Sequence, residues 1–315
     1  MKLTILGGGG FRAPLVHGAL TSDCGVSDVV LHDVDAGRLA AIGAVLAGRA
    51  GPPVRATTDL DDALAGARFV FTAVRVGGLA GRTVDERVAL DLGVLGQETT
   101  GPGGIAYGLR TVPVALEVAR RVAALAPDAW VISFTNPAGM ITEAMQRVLG
   151  ERVVGICDSP VGLTARAARA LGVSGAVVPE YVGLNHLGWL RGLSVDGVDR
   201  LPELLADDTR LATVEEARLI GVDWVRALGA LPNEYLYYFY RTREAVATIL
   251  DAPQTRGEFL RAQQDRFYAA AAADPATAWA RWQQVRDERD ATYMAESRDA
   301  AGAGARDAVD VAAGG

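Results

Sequence analysis

The sequence predicts an α/β protein, with a Rossmann-like, doubly wound and mainly parallel sheet over residues 1–160 and a second, helix-rich α/β domain over 161–315. Three observations predict it. The first apolar run, MKLTIL, passes straight into four glycines, Gly7 to Gly10. Short apolar runs then alternate with segments of helical periodicity through the first half. Finally, the segments richest in chemistry fall where those apolar runs end. Such an architecture resembles that of lactate and malate dehydrogenases.

In order, the chain reads as a strand at 2–6, a helix from Ala13 to Thr21, a strand at 28–32 and a helix at 36–48. Asp59 to Ala65 form a short helix ahead of a strand at 68–74. The run TVPVALEVARRVAALAP, 111–127, keeps apolar positions at helical spacing until Pro127 stops it. AWVISFTNP and ERVVGICDSP read as two further strands. Helices dominate afterwards, at Pro160–Leu171, Thr213–Leu228 and Arg256–Ala272, and the small-residue stretch 300–315 is expected to be mobile.

The glycine run suits a turn that brings backbone close to a pyrophosphate at a helix N-terminus. The full pattern G-x-G-x-x-G is only partly met, because Gly7-Gly8-Gly9-Gly10-Phe11 is followed by Arg12 at the third glycine position. Asp33, after the second strand, stands where an acid bonds a ribose 2′-hydroxyl, which favours NAD over NADP. Gly7, Gly8, Gly9, Gly10, Phe11, Arg12, Asp33 and Arg75 are therefore the expected cofactor-binding residues.

Composition narrows the function. Half of the 315 residues are hydrophobic and 22% are charged, which describes a soluble globule with a sizeable core. A net charge of −7 and the lack of a basic run argue against nucleic acid and anionic membranes as partners. Neither a leader segment nor a membrane helix is expected, and with only two cysteines, Cys24 and Cys157, a reducing, cytoplasmic setting follows.

Four segments at strand ends carry the remaining chemistry: RVGGLAGRTVDE (75–86), GQETTGPGG (96–104), FTNP (134–137) and CDSP (157–160). In an open α/β sheet these ends converge on one crevice. Cys157 and His186, a thiol and one of only three imidazoles, suit a divalent ion with coordination positions left open for substrate oxygens. Either residue alone also reads as ordinary core. Arg75, Arg82 and Arg256 are placed to fork onto phosphoryl oxygens.

Together with GLNHLGW (183–189) and PNEYLYYFY (232–240), these blocks resemble glycoside hydrolase family 4, the NAD-dependent glycosidases, and within it the bacterial 6-phospho-β-glucosidases. The likeness runs from residue 1 to about residue 298. It implies hydride removal from C3 of the sugar, loss of the acidified C2 proton, elimination of the aglycone, addition of water and return of the hydride. It further implies a divalent ion, most often Mn²⁺, on Cys157 and His186, with Tyr235 as base and Asp158 as proton donor to the leaving oxygen. Glu98, Asn136, Asn185, Arg82 and Arg256 would surround the sugar, Glu98 near the metal or its water. Many β-specific members carry Asn where this chain has Asp158 and several α-specific ones carry Asp, so the 6-phospho-α-glucosidases stay open. The resemblance also implies a phosphorylated glycoside as substrate, a homodimer or homotetramer, and further chain beyond residue 315. A 2-hydroxyacid dehydrogenase, with a His paired to an acid, and a cofactor-binding module without catalysis are the alternatives of other classes.

Overall fold

The computed structural model describes residues 1–292. Six parallel strands, β1 (Lys2–Leu6), β2 (Asp28–His32), β3 (Val54–Thr57), β4 (Phe69–Thr72), β5 (Trp130–Ser133) and β6 (Val153–Gly155), form one sheet in the order β3-β2-β1-β4-β5-β6. The order reverses between β1 and β4, which opens a crevice at their carboxyl ends. Helices α1 (Ala13–Gly18), α2 (Ala36–Leu46), α3 (Leu60–Leu64), α4 (Gly78–Asp91), α5 (Pro102–Leu125), α6 (Ala138–Leu149) and α7 (Ser159–Ala170) connect or follow these strands.

The α/β expectation is met, and four of the differences bear on the site. β3 was not foreseen, since VRAT is short, largely exposed and paired on one side only. The 75–86 segment, expected as a strand-end loop, turns helical at Gly78, so Arg82 lies on α4. Helix α5 begins nine residues before the expected start, because Pro102 suits a first turn and the glycines behind it permit close packing. A side chain at Gly103 would sit 2.4 Å from the Gln97 carbonyl oxygen, so this helix start and the 97–99 loop need glycine to meet. Lastly, the helix expected over 213–228 breaks at Gly221, whose φ of +110° only glycine adopts readily.

Beyond α7 the chain makes an antiparallel hairpin, β7 (Val178–Leu184) and β8 (Leu187–Val195), extended by β9 (Val198–Asp199) and β10 (Leu231–Pro232). Helices α8 (Leu201–Ala206), α9 (Asp208–Leu211), α10 (Glu215–Ile220), α11 (Val222–Leu228), α12 (Tyr237–Tyr240) and α13 (Thr242–Asp251) cover it. Their core includes Leu163, Leu190, Leu211, Ile220 and Tyr238.

Packing then departs from chain order. Helices α14 (Arg256–Ala273) and α15 (Ala278–Ala291) return to the parallel sheet, where Phe267, Ala271 and Trp282 join Leu3, Ile5, Val29 and Phe71 in one core. Val70, Val131 and Val153 face the opposite layer of α3, α5 and α6. The period of two in β4, with Val70 and Phe71 on opposite faces, is what a strand covered on both sides requires. The 300–315 stretch expected to be mobile lies outside the described residues.

Candidate active site

The glycine loop hangs from β2, with the N–H groups of Gly7 and Gly8 both donating to the His32 carbonyl oxygen at 3.0 and 2.8 Å. Gly7 has φ +82°, and a Cβ there would lie 2.5 Å from the Ala73 carbonyl oxygen, so the turn is closed against β4. Asp33 accepts from the Gly9 N–H at 3.2 Å and the Asp35 N–H at 3.1 Å, which brings the expected ribose acid to the loop's edge. Tyr268 of α14 donates to the Gly9 carbonyl oxygen at 2.7 Å and so ties the returning helix to the same loop.

The ring of Phe11, a residue expected among the cofactor contacts, is buried against Phe267, with centroids 4.9 Å apart, because an apolar ring beside α14 gains more in the core than at a polar crevice. Arg12 points the other way. Its guanidinium lies 4.4 Å from the centre of the Phe134 ring and 3.3 Å from Asp158.

Across the crevice, Glu98 meets Arg75 at 2.7 Å and Arg82 at 2.9 Å. Burial opposes ionisation of Glu98, but the two guanidiniums outweigh it and hold its carboxyl down to about 2. Burial likewise acts to lower the Arg82 pKa, while Glu98 and Glu86 raise it overall. Arg82 Nε donates to Glu86 at 2.6 Å, and the other Glu86 oxygen accepts the Gly257 N–H at the start of α14 at 2.8 Å. Arg75 and Arg82, expected as phosphate forks, are thus engaged with buried carboxylates, and Glu98 is engaged with them. Arg256 is engaged too, donating to the Thr292 and Arg289 carbonyl oxygens at 3.2 and 3.1 Å.

Cys157 and Asp158 follow β6 at the start of α7, and His186 sits in the two-residue turn joining β7 to β8. The turn holds His186 at φ +59°, a left-handed conformation, and presents its ring to the sheet end. Cys157 Sγ lies 3.6 Å from His186 Nε2. Metal–sulfur and metal–nitrogen bonds of about 2.3 and 2.1 Å, meeting at right to tetrahedral angles, separate such ligands by about 3.1–3.6 Å, so the pair fits a shared ion. Among the described residues no third His, Cys, Asp or Glu completes a cluster. The pair alone therefore leaves positions for substrate oxygens. Burial pushes the Cys157 thiol up, while the Ser159 N–H and the Asn185 side chain favour its thiolate. Burial lowers His186 to about 4 despite nearby Glu98 and Asp158, which keeps its ring neutral and able to ligate.

Tyr235 lies flat on His186, with ring centres 3.5 Å apart and planes within 8°. The Asn233 side chain fixes its backbone by accepting the Tyr235 N–H at 2.9 Å. Asn136 is half-buried at the end of β5, and Asn185 precedes His186 in the turn.

Several residues here escaped the sequence reading. Thr99 meets His186 Nδ1 at 2.9 Å and belongs to the glycine-rich block already singled out. Ser159 donates to the buried Glu234, whose carboxyl is raised above the usual range by burial and then by neighbouring Glu216. Arg289 enters from α15, where burial and then the charges of Arg12 and Arg256 lower it to about 10. No sequence signal marks Arg289, since it is one of many arginines on a helix of weak apolar patterning.

Residues 2–173 match the profile described as Family 4 glycosyl hydrolase and residues 181–313 that family's C-terminal domain. The chain belongs to glycoside hydrolase family 4. The 6-phospho-beta-glucosidase of Escherichia coli (strain K12) is 35% identical over 267 residues, 78% of this chain and 59% of that protein. The maltose-6'-phosphate glucosidase of Bacillus subtilis (strain 168) is 37% identical over 201 residues, 58% of this chain and 45% of that one. Thus the chain spans less than two thirds of these curated relatives. The 6-phospho-beta glucosidase of Thermotoga maritima, solved with manganese, NAD+ and glucose-6-phosphate, superposes with a TM-score of 0.76 at 26% identity, over 85% of this chain and 67% of that one. A 6-phospho-alpha-glucosidase from gut microorganisms, in complex with NAD and Mn2+, gives 0.75 at 28% identity, over 87% and 68%.

Proposed function

We propose that this chain hydrolyses 6-phosphoglycosides, β-linked in first preference, by transient NAD-dependent oxidation of the sugar. The observation that carries the reading is the stack of Tyr235 on His186 beside Cys157, which puts a phenol base against two candidate metal ligands in the crevice of the glycine loop. NAD would be held by Gly7 to Gly10 and Asp33, manganese by Cys157 and His186, and together they would supply a hydride acceptor and a Lewis acid for the sugar's C3 and C2 oxygens.

Tyr235 removes the C2 proton. The ring is fixed by stacking worth about 0.5–1.5 kcal/mol and feels the buried charge of Arg82, so its oxygen is oriented before substrate arrives. Asp158 takes up a proton from solvent at the open mouth of the crevice, where its side chain is 57% exposed, and passes it to the leaving oxygen. The elimination expels the aglycone and water adds back at C1 with a proton at C2, and the net change is a hydrolysis once C3 is reduced again, a hydride return that the bound cofactor would supply. Asn136 and Asn185 bond sugar hydroxyls or the nicotinamide. The 6-phosphate falls to the cationic edge formed by Arg12, Arg256 and Arg289, whose mutual repulsion an anion relieves.

The β preference is supported by the longer match to the β-specific relative, which continues into the second half of the chain. Asp158 favours the α-specific reading. A dehydrogenase reading is weakened at His186, which meets a hydroxyl and a thiol rather than a carboxylate. We further propose a homo-oligomer, because Val84 and Val88 of α4 and Leu92 just past its end are exposed, as are Ile105 and Leu109 of α5. Among the described residues no helix is long and apolar enough to cross a membrane.

The test incubates the protein with chromogenic 6-phospho-β- and 6-phospho-α-glucosides, NAD, Mn²⁺ and a thiol reductant. Chromogen release from the β-anomer without net NADH is expected. Faster release from the α-anomer reverses the preference, and steady NADH accumulation without release overturns the glycosidase reading.

A further inference from the structure

Three acceptor contacts converge on one oxygen in the 96–101 loop. Gln97 Oε1 receives the Thr99 N–H at 2.6 Å, the Thr100 N–H at 2.7 Å and the Thr99 hydroxyl at 3.1 Å. The two backbone donors fix which end of the Gln97 amide is oxygen, since an NH₂ group there would face two N–H groups. Gln97 is itself buried, so this arrangement has no water to fall back on.

A hydroxyl carries one proton. If the Thr99 proton goes to Gln97 Oε1, then Thr99 Oγ1 offers only lone pairs to His186 Nδ1, 2.9 Å away. Were the proton turned to Nδ1 instead, Oγ1 and Oε1 would face each other at 3.1 Å as two acceptors with nothing between them. With the Thr99 proton on Gln97 Oε1, a neutral imidazole carries its proton on Nδ1 and leaves Nε2 bare. On the opposite side a bare Nε2, the nitrogen that a cation would need, can accept from the Cys157 thiol 3.6 Å away.

We infer that Gln97 and Thr99 are positioning residues that lock His186 in its Nδ1–H tautomer and aim the Nε2 lone pair at Cys157. The tautomer stands on the hydrogen bonds alone; its consequence for metal uptake rests on the reading of Cys157 and His186 as ligands. A ring held at φ +59° in a two-residue turn, stacked on Tyr235 and bonded at Nδ1 has little freedom left. Outer groups of this kind change metal affinity by roughly 10–100-fold when removed.

The experiment records long-range ¹H–¹⁵N correlations on metal-free protein labelled at its histidines, of which there are three, and titrates Mn²⁺ by its electron paramagnetic resonance signal. Wild-type protein should show His186 with a protonated Nδ1 and a pyridine-like Nε2. Thr99→Val should bring in the Nε2–H tautomer and weaken Mn²⁺ binding roughly 10–100-fold, whereas Thr99→Ser should preserve both. A wild-type spectrum with the proton on Nε2 overturns the inference without requiring any variant to fold. So does a folded Thr99→Val protein, judged by unchanged His17 and His32 signals, with wild-type tautomer and affinity. Wild-type protein that holds the Nδ1–H form yet takes up no Mn²⁺ supports the lock and removes the metal reading instead.

Discussion

The two walls of the crevice hold their charges in opposite ways. On the wall built from α4, the 96–101 loop and the β7–β8 turn, Glu98 lies between Arg75 and Arg82, Arg82 is closed off by Glu86, and His186 by Thr99 and Tyr235. On the wall built from the glycine loop and the end of β6, Arg12 meets Asp158 through one contact, with side chains 34% and 57% exposed. A buried network resists change, since stripping one partner leaves a charge without water or counterion. A half-exposed pair gives up its partner at little cost. One wall is thus set before a ligand arrives, and the other is free to exchange partners with it.

The sharpest way to break this contrast is at the proposed base on the preset wall. Tyr235→Phe keeps the stack on His186 and removes only the phenol oxygen, so folding and NAD binding should persist while turnover falls about 10²–10⁴-fold. Incorporation of solvent deuterium at C2 of the product sugar should vanish with it. Turnover within tenfold of wild type would remove Tyr235 as the base.

The next effect is on stability. Glu98→Gln leaves Arg75 and Arg82 facing each other without their shared anion, and unfolding in urea should show a loss of about 3–5 kcal/mol. The acid limb tells the same story. With its folded pKa held at about 2 against an ordinary value of 4.5, Glu98 binds a proton in the unfolded chain before it does in the folded one. Its contribution is therefore present above about pH 4.5 and is lost as the pH falls toward 2. In the Gln variant that limb should flatten. A variant as stable as wild type at pH 7 would mean that the wall is not preset.

The same division describes what could be read from the sequence. The first sheet was legible because glycine, strand periodicity and a strand-end acid are local signals, and Gly7 and Asp33 land where those signals put them. Cys157 and His186 were legible as rare residue types at a strand end and in a turn, Asp158 only through the family resemblance, and the structure brings Cys157 and His186 to one place. What no local signal marks is partnership. Arg82 looked like a phosphate fork because nothing local says that Glu86, one helical turn on, and Glu98, beyond a loop, will claim it. Phe11 looked like a loop residue because its neighbour Phe267 arrives from a helix more than 250 positions away. Arg289 stayed unseen for the same reason, since only the return of α15 to the sheet places it beside Arg12.

The smallest expected effect sharpens the comparison from the open side. Arg12→Gln removes a charge that is paired with Asp158 across 3.3 Å and stacked on Phe134, both near solvent, so unfolding free energy should move by less than about 1 kcal/mol. Its influence should appear in ligand binding instead. Raising the salt from about 0.01 to 0.1 M shortens the screening length from about 30 to 10 Å, and the weaker binding of glucose 6-phosphate to Arg12→Gln should converge on wild type as salt rises. Urea unfolding and a salt series of binding isotherms check both halves. A loss of more than about 2 kcal/mol on unfolding would show that the glycine-loop wall is as rigidly pre-bonded as its opposite, and the contrast between the two would fail.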